Sequence, residues 1–519
     1  MASTFFGLTI AYSGLQAANT SLTITGHNVS NINTKGYTKQ QAGTQAADAL
    51  RTHTTYGAIG SGVVVTEISQ IRDSYYDVKY RNNMANYGQY SVKESYMGQI
   101  EDYLDEFTLN GYSQEYKNFF SAVNQLTITP GDTSAKNQLI NNAKSLADYF
   151  NTLTTNLRSV QADANNEIKD AVQQINSYAK NIAALNRQIN QIEANYGNAN
   201  DLRDKSNAMI DELSEIVNLE TSEEDMGNNV SNFSVRINGQ TLVSSYSYNT
   251  LETVARTDKK NYSDAEGLYD VQWNSGQKFD MYSTSLSGHL KGLIDIRDGN
   301  NGEHENIETD DNGNNVTDSD GNLVLTTAPA ADKTVSYKGV PYYQAQLNEF
   351  AKIFSDAVNK IMKSGYTSDG SSKGISLFVT QPNTTVMSAG NITVNPELLK
   401  NADLLAIKKE QNDGESDAKI MEELNKLQSE KIFAGGTGSY FLESIVSDMS
   451  IDSQKAVNLY KNYTDLKTSI HNQRLSIMGV DTDEEAMDMI KYQQAYNLNS
   501  KMMSVMNQIY DKLINQTGL

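Results

Sequence analysis

The final stretch of the chain carries its apolar side chains on a heptad spacing. Met489, Tyr496, Met503 and Tyr510 recur every seven residues, and Tyr492, Asn499, Met506 and Leu513 follow three further on. This is the pattern of a coiled-coil seam. Gln494, Lys501, Gln508 and Asn515 keep the opposite side polar. Thr482 with Glu485 fits a capping box, and Asp483 and Glu484 sit where a helix dipole favours negative charge. The spacing predicts one helix from Asp481 to Asn515, apolar along one side and in need of a partner.

The other end of the chain supplies one. Phe5, Leu8, Tyr12, Leu15, Leu22 and Val29 keep a three-four spacing over residues 4–32, with Asn19 and Gly26 as intervening members. Gly7, Gly14 and Gly26, with many Thr, Ser and Asn, lower the helix propensity, so this helix alone is marginal in water. Residues 1–35 and 481–519 are expected to be largely disordered in the free monomer and to fold against each other during assembly.

Between the ends the period changes several times. Residues 36–77 read as Gly-rich turns and short strands, Gly62-Val63-Val64-Val65-Thr66 being the clearest. Helix signals return near Tyr76, and Pro130-Gly131 followed by Asp132 and Thr133 gives a break and a fresh cap. Leu139, Ala143, Leu146, Phe150, Leu153, Leu157, Val160 and Ala164 alternate steps of four and three. After one extra step of four, a stutter, the run resumes at Ile168 and continues through Ile175, Ile182, Ile189 and Ile192 to Tyr196. One very long helix, or two nearly collinear ones, is predicted there, and another after Asn200 or Asp201.

From about Ser222 to Tyr342 strand signals dominate: Phe233, Val235 and Ile237 alternate with polar residues, and Asn238-Gly239 is a hairpin turn before Thr241-Leu242-Val243. Helix resumes at Tyr343 to Met362, strands are expected near Leu377 and Ile392, and a long seam runs from Leu442 to Ile477. All five prolines lie between Pro130 and Pro396, leaving both ends free to form uninterrupted helices. The expected fold is mainly α with a β-rich inserted middle, in a nested multidomain layout. Residues 1–40 and 481–519 form a terminal helical domain, 41–221 and 343–480 an inner helical domain with short β connectors, and 222–342 an outer β-rich domain with an acidic insert at 299–332.

Composition narrows the function. The 519 residues suffice for three or four domains by the usual prior of about 150 residues each. A net charge of −21 argues against nucleic acid or anionic membrane as partner and leaves proteins. The chain has no cysteine, hence no disulfide framework, thiolate metal site or cysteine nucleophile. No apolar run approaches a membrane span, and the first Lys or Arg is Lys35, so any export is expected by a route without a secretory n-region.

Candidate chemistry fails on detail. His27, His53, His289, His304 and His471 are scattered, and His304-Glu305 lacks the second His of a zinc-protease helix. Residues 299–332 hold eight acids and no Lys or Arg, but the calcium loop suggested by Asp318, Asp320 and Asn322 has Leu323 where Gly is needed and Pro329 where Glu is needed. A solvated hairpin insert is the reading favoured. Gly435-Gly436-Thr437-Gly438 lacks the Lys of a phosphate loop and reads as a turn before a helix near Ser439. Asp481, Asp483, Glu484 and Glu485 read as a helix start rather than a cation site. No catalytic, cofactor or metal residues are assigned, and no enzyme is expected.

Both ends also carry longer motifs. Ser13-Gly14-Leu15, Ala17-Ala18, Leu22, Asn28-Val29-Ser30-Asn31-Ile32-Asn33-Thr34 and Gly36-Tyr37-Thr38 resemble the N-terminal signature of bacterial flagellar rod, hook and hook-associated proteins. Gln174 to Asn186, Asn200-Asp201-Leu202-Arg203-Asp204, Glu212 to Val217, Gly479-Val480-Asp481 with Asp483-Glu484-Glu485, and Tyr492-Gln493-Gln494-Ala495-Tyr496 resemble the flagellar hook-associated protein 1 family, the hook–filament junction proteins. His27 stands where that family commonly has Asn, and Lys39 where Arg is common; the β middle matches weakly. Asn28, Asn31 and Gly36 read as a helix end and tight turn.

The resemblance implies an extracellular axial protein of the flagellum, exported unfolded by the type III apparatus with an uncleaved N-terminus. It also implies paired terminal helices lining the inner tube, and a ring of about one helical turn of subunits between the hook protein and a second junction protein or flagellin. An export chaperone is expected at the C-terminal helix, and neither nucleic acid nor membrane is a partner. The assembly interface expected on this reading is Phe5, Leu8, Tyr12, Leu15, Leu22, Val29, Met489, Tyr492, Tyr496, Met503, Met506, Tyr510 and Leu513. A hook or filament subunit is the alternative, although a hook protein should lack the heptad run from Leu139 to Tyr196. A secreted adhesin or enzyme housed in the β middle is the reading from a different class.

Overall fold

The computed structural model describes residues 6–51, 58–104, 111–301, 306–307, 316, 325–326, 337–382, 384, 386–414, 416–433 and 436–516. The chain is mostly helical, 61%, with a few small sheets. Helix α1 (Phe6–Ser30) is followed by strands β1 (Gln40–Ala46), β2 (Leu50–Arg51), β3 (Ala58–Ile59) and β4 (Val63–Gln70). β1 pairs with β4 and β2 with β3, both antiparallel. Four helices come next: α2 (Ser74–Leu104), α3 (Tyr112–Ile128), α4 (Thr133–Glu193) and α5 (Asn200–Ile216). Strands β5 (Glu220–Asp225), β6 (Ser231–Ile237), β7 (Gln240–Ser244) and β8 (Ser247–Tyr248) make a four-stranded meander. Strands β9 (Leu251–Ala255) and β10 (Tyr269–Trp273), helix α6 (His289–Asp298), strands β11 (Asn306–Ile307) and β12 (Leu325–Thr326) and helix α7 (Val340–Ser364) follow. The remainder is β13 (Tyr366–Thr367), β14 (Phe378–Thr380), β15 (Ile392–Val394), α8 (Pro396–Lys400), β16 (Ala406–Lys408), α9 (Lys419–Leu427), α10 (Gly438–Met478) and α11 (Thr482–Asn515).

The chain divides into two compact units, Met1–Ala85 with Ile175–Thr250 and Thr464–Leu519, and Asn86–Gln174 with Leu251–Tyr463. In the first, the end of α4 holds the β5–β8 sheet through side-chain amides that complete strand hydrogen bonds: Asn186 donates to Ser245 O, and Asn190 both donates to Ser231 O and accepts from Ser231 N. Ile210, Leu213, Val217, Val235, Ile237 and Val243 fill its core. The β6–β7 turn uses Asn238 and Gly239 at φ 50° and 76°, the left-handed pair that an Asn-Gly hairpin supplies.

In the second unit the core is aromatic. Tyr116, Phe119 and Phe120 of α3, Phe150 of α4, Phe350 and Phe354 of α7, Phe378, Phe433 and Phe441 form a chain of edge, tilted and stacked ring contacts. Such pairs add specificity beyond their buried area. Behind them a buried polar network surrounds the end of α6. Arg297, with no exposure, donates to Asp298 and to Asn165 Oδ1, and Arg256 Nη2 lies 2.7 Å from Asp298 Oδ2.

Most predicted helices are present. The long seam of α4 is buried from Leu139 to Ile189 at most of its predicted positions, and the helix passes through the stutter unbroken, Ala164 and Ile168 both being fully buried. Its last two predicted members are exposed: Ile192 lies in the last turn, and Tyr196 lies beyond the helix end at Glu193. The seam of α10 is buried at Leu442, Ile445, Met449, Ala456 and Ile470, whereas Leu466 is exposed. Helix α6 lies in the stretch read from sequence as β. Every residue from Leu290 to Asp298 is buried, the charged Lys291, Asp295, Arg297 and Asp298 included, and its few apolar positions are too short a run to show a period. The suggested calcium-loop residues Asp318, Asp320 and Asn322 lie outside the described residues.

Candidate assembly interface

Helices α1 and α11 pack against each other, and α1 does so with its smallest side chains. Gly7, Ala11, Gly14, Ala18, Ser21, Thr25 and Asn28 alternate steps of four and three, and five of them, Ala11, Ala18, Ser21, Thr25 and Asn28, are buried. A Cβ built on Gly7 would stand 2.9 Å from Met506 Cε, and one on Gly14 would stand 2.7 Å from Asn499 Oδ1. Asn28 Nδ2 donates to Glu485 Oε2 at 3.2 Å. Steps of seven forward along α1 thus answer steps of seven backward along α11. The helices are antiparallel, and the same register sets Ser21 level with Tyr492 and Ala18 level with Ala495. Two of the glycines that weaken α1 as an isolated helix are where Met506 and Asn499 of α11 would meet an added Cβ.

The contact line of α11 is Glu485, Asp488, Tyr492, Ala495, Asn499, Met503, Met506 and Tyr510; the first is buried and the others half-buried. Of the predicted interface, Tyr492, Met503, Met506 and Tyr510 lie on that line, and Leu8, Leu15, Leu22 and Val29 are half-buried on α1. Met489, Tyr496, Leu513 and Tyr12 are exposed in the single chain, and Phe5 lies outside the described residues. The line runs through polar Glu485 and Asn499 and leaves apolar side chains on both flanks. Leu498, Met502, Val505 and Ile509 form one exposed stripe, and Leu498 is 68% exposed.

Sequence reasoning missed the polar base of this pair. The side chain of Asn28 brackets Gln40, donating to its carbonyl and accepting from its N–H at 3.0 Å each, while Tyr37 Oη donates to Asn28 Oδ1 at 2.8 Å. Gly36 makes the turn at φ 81°. Lys39 N–H donates to Met478 O, and Lys39 Nζ lies 2.7 Å from Glu484 Oε2 and 3.1 Å from Glu485 Oε1. Burial acts to lower the Lys39 pKa, but its hydrogen bonds to Glu484 and Glu485 outweigh this and raise it above the ordinary lysine value. Asp481, one residue before the expected Thr482, caps α11 by accepting from Asp483 N and Glu484 N. Glu485 is drawn into the base and so is not bent back over its own helix end. The Asn-rich motif of residues 28–34 was the available signal; read alone it indicates only a helix end.

From this base an alternation of charges leads to α2, α5 and α10. Thr38 donates through N and Oγ1 to Asp204, whose pKa burial raises despite those bonds. Arg72 lies 3.6 Å from Asp204 and pairs with Asp77; Arg474 bridges Asp77 and Asp211; Arg81 completes the chain on Asp211. Each buried charge has an opposite neighbour, as burial requires. Among the described residues no group of three His, Asp or Glu side chains is arranged to hold a metal ion, and no helix is long and apolar enough to cross a membrane.

An antiparallel terminal pair that leaves apolar stripes uncovered defines a subunit built for assembly. Residues 471–516 match the family of flagellar basal body rod FlgEFG protein C-terminal segments, which puts α11 in the class of flagellar axial proteins. Residues 97–378 match the flagellar hook-associated protein FlgK helical domain, and the chain belongs to the FlgK family of flagellar hook-associated proteins. Flagellar hook-associated protein 1 of Bacillus subtilis is 26% identical, the match covering 100% of this chain and 99% of that protein. Its counterpart in Salmonella typhimurium is 27% identical over 97% of this chain and 98% of its own length. The solved structure of the flagellar hook junction protein FlgK from Burkholderia pseudomallei resembles this one in fold, with a TM-score of 0.60 at 14% identity, covering 77% of this chain and 100% of that one.

Proposed function

We propose that this protein is the structural piece that joins the flagellar hook to the filament. Its terminal helices pack within and between subunits in a ring of copies. Hook protein lies on one side and a second junction protein or flagellin on the other. The observation that carries this reading is the α1–α11 pair, closed along a small-residue seam while Leu498, Met502, Val505 and Ile509 stay exposed. Exposed apolar patches of this kind mark protein interaction sites. Before assembly an export chaperone covers α11; the chain leaves the cell unfolded and ends outside it, at the junction. Residues 1–40 and 481–519 serve as the inner-tube domain and order on assembly, 41–221 with 343–480 as the inner helical domain, and 222–342 as the outer one.

Immunogold electron microscopy with antibody raised against the full chain tests the placement. A single band where hook meets filament is the expected result; label along the whole filament or hook, or none on flagella, overturns it. Amide exchange tests the ordering step. Residues 6–30 and 482–515 should exchange rapidly in the dilute free chain and slowly in isolated flagella, and strong protection in both would refute assembly-coupled folding.

A further inference from the structure

The seam of α1 repeats, and so does its partner. A slide of α11 by one heptad would bring Met506 against Gly14 and Asn499 against Ser21, again large against small. The alternation of small and large residues is therefore compatible with more than one register. Charge does not repeat. Glu485, at 1% exposure, is the sole buried residue of α11 among those described, and it is a carboxylate. It meets Asn28 Nδ2 at 3.2 Å and Lys39 Nζ at 3.1 Å, and the Lys39 side chain is itself almost wholly enclosed. A slide of seven residues either way takes Glu485 away from Asn28 and Lys39; Asn28 keeps its bonds to Gln40 and Tyr37, but the enclosed Lys39 ammonium loses its carboxylates, which is strongly unfavourable. Asp488 and Asn499 also lie on the line but are only half-buried; a buried polar group in a repeating seam is the device by which coiled coils fix register.

The geometry points to Glu485, Asn28 and Lys39 as the positioning residues that set the register of the terminal pair. A heptad slip moves α11 by about 10 Å along α1, so these residues set the height at which the exposed stripe of α11 stands. Its bearing on the ring rests on the proposed function; the register itself does not.

The chain has no cysteine, so an introduced pair reports register by disulfide cross-linking. Ala18→Cys with Ala495→Cys reads the native register; Thr25→Cys or Ala11→Cys with Ala495→Cys reads the two slipped ones. With the base intact, only the first pair should cross-link. With Lys39→Met and Glu485→Met together, the preference for the native pair should fall by about tenfold or more, the worth of a hydrogen bond to a charged group, while circular dichroism still reports the helix. An unchanged preference with helicity intact overturns the inference. If the double variant loses helicity, Glu485→Gln carries the test by the same criterion. Cross-links are read in the full chain in solution and in isolated flagella, using whichever preparation protects α11 from exchange. Protection of α11 already in the free chain, with the native pair cross-linking there, would refute assembly-coupled ordering and leave the register inference standing.

Discussion

Gly14 and Gly26 sit on the same helix and look alike in sequence, yet their surroundings are opposite. Nothing lies within 4 Å of a Cβ built on Gly26, whereas one on Gly14 meets the whole amide of Asn499, whose Nδ2 donates to Ala495 O at 2.9 Å. Alanine at either position raises helix propensity by up to about 1 kcal/mol. At Gly26 that gain should appear as added stability of the terminal pair, while at Gly14 overpacking of about 1–3 kcal/mol should outweigh it. Amide exchange of residues 6–30 in isolated flagella, where the pair is ordered, distinguishes them; equal added protection by both would mean that α11 stands farther from α1. In the second unit, Asp298 is fully buried. Burial alone would raise its pKa, but Arg256 and Arg297 hold it well below the usual carboxylate range. Its stabilising effect is therefore complete above the unfolded pKa of about 3.9 and is lost as pH falls toward the folded value. Asp298→Asn should cost about 3–5 kcal/mol at pH 7, by leaving the two guanidinium groups without its charge. That penalty should shrink by about 1.4 kcal/mol for each pH unit below about 3.9. A penalty equal at pH 7 and pH 3 in urea titrations would rule out this account.

At the scale of elements, α4, α7, α10 and α11 were legible because each has an apolar stripe of several turns against a polar remainder. Helix α6 was not, being short and carrying four charged residues, Lys291, Asp295, Arg297 and Asp298, that look solvent-facing in sequence and are buried. Strand β4 announced itself by Val63, Val64 and Val65, but its partner β1, Gln-Gln-Ala-Gly-Thr-Gln-Ala, carries no strand signal of its own. Ladder pairing holds it, with Asn198 and Asn200 donating to Ile68 O beside it. At the start of α11 the capping pattern was recognised one residue late. Asp481→Ala should destabilise the helix by about 1 kcal/mol, as loss of an N-cap does, and Thr482→Ala by much less. The reverse order in amide-exchange protection of α11, compared between isolated flagella of the two variants, would restore the Thr482–Glu485 box.

At the scale of the whole molecule, the sequence indicated that the two ends belong together but not which sides meet. Counting apolar residues cannot separate a seam closed within one chain from a stripe left for another, because both are apolar and both keep helical spacing. Small residues and one buried carboxylate mark the first; side chains still in water mark the second. The distinction makes a prediction about assembly. Lysine at Leu498, Val505 and Ile509 adds charge to positions already exposed, so each substitution should change the stability of the single chain by no more than about 0.5 kcal/mol. In an assembled ring the same three positions would place ammonium groups against apolar neighbours, which is costly without a partner charge. The triple variant should therefore fold and be exported like the parent, yet fail to join the flagellum, leaving cells with hooks and no attached filament by electron microscopy. Polar substitution at Met503 and Tyr510 should reach the same end by a different route, loosening the α1–α11 seam itself. Normal filaments on cells carrying the triple variant would show that this stripe stays in water after assembly, and the subunit contacts would then have to lie on the other flank, around Met489 and Tyr496.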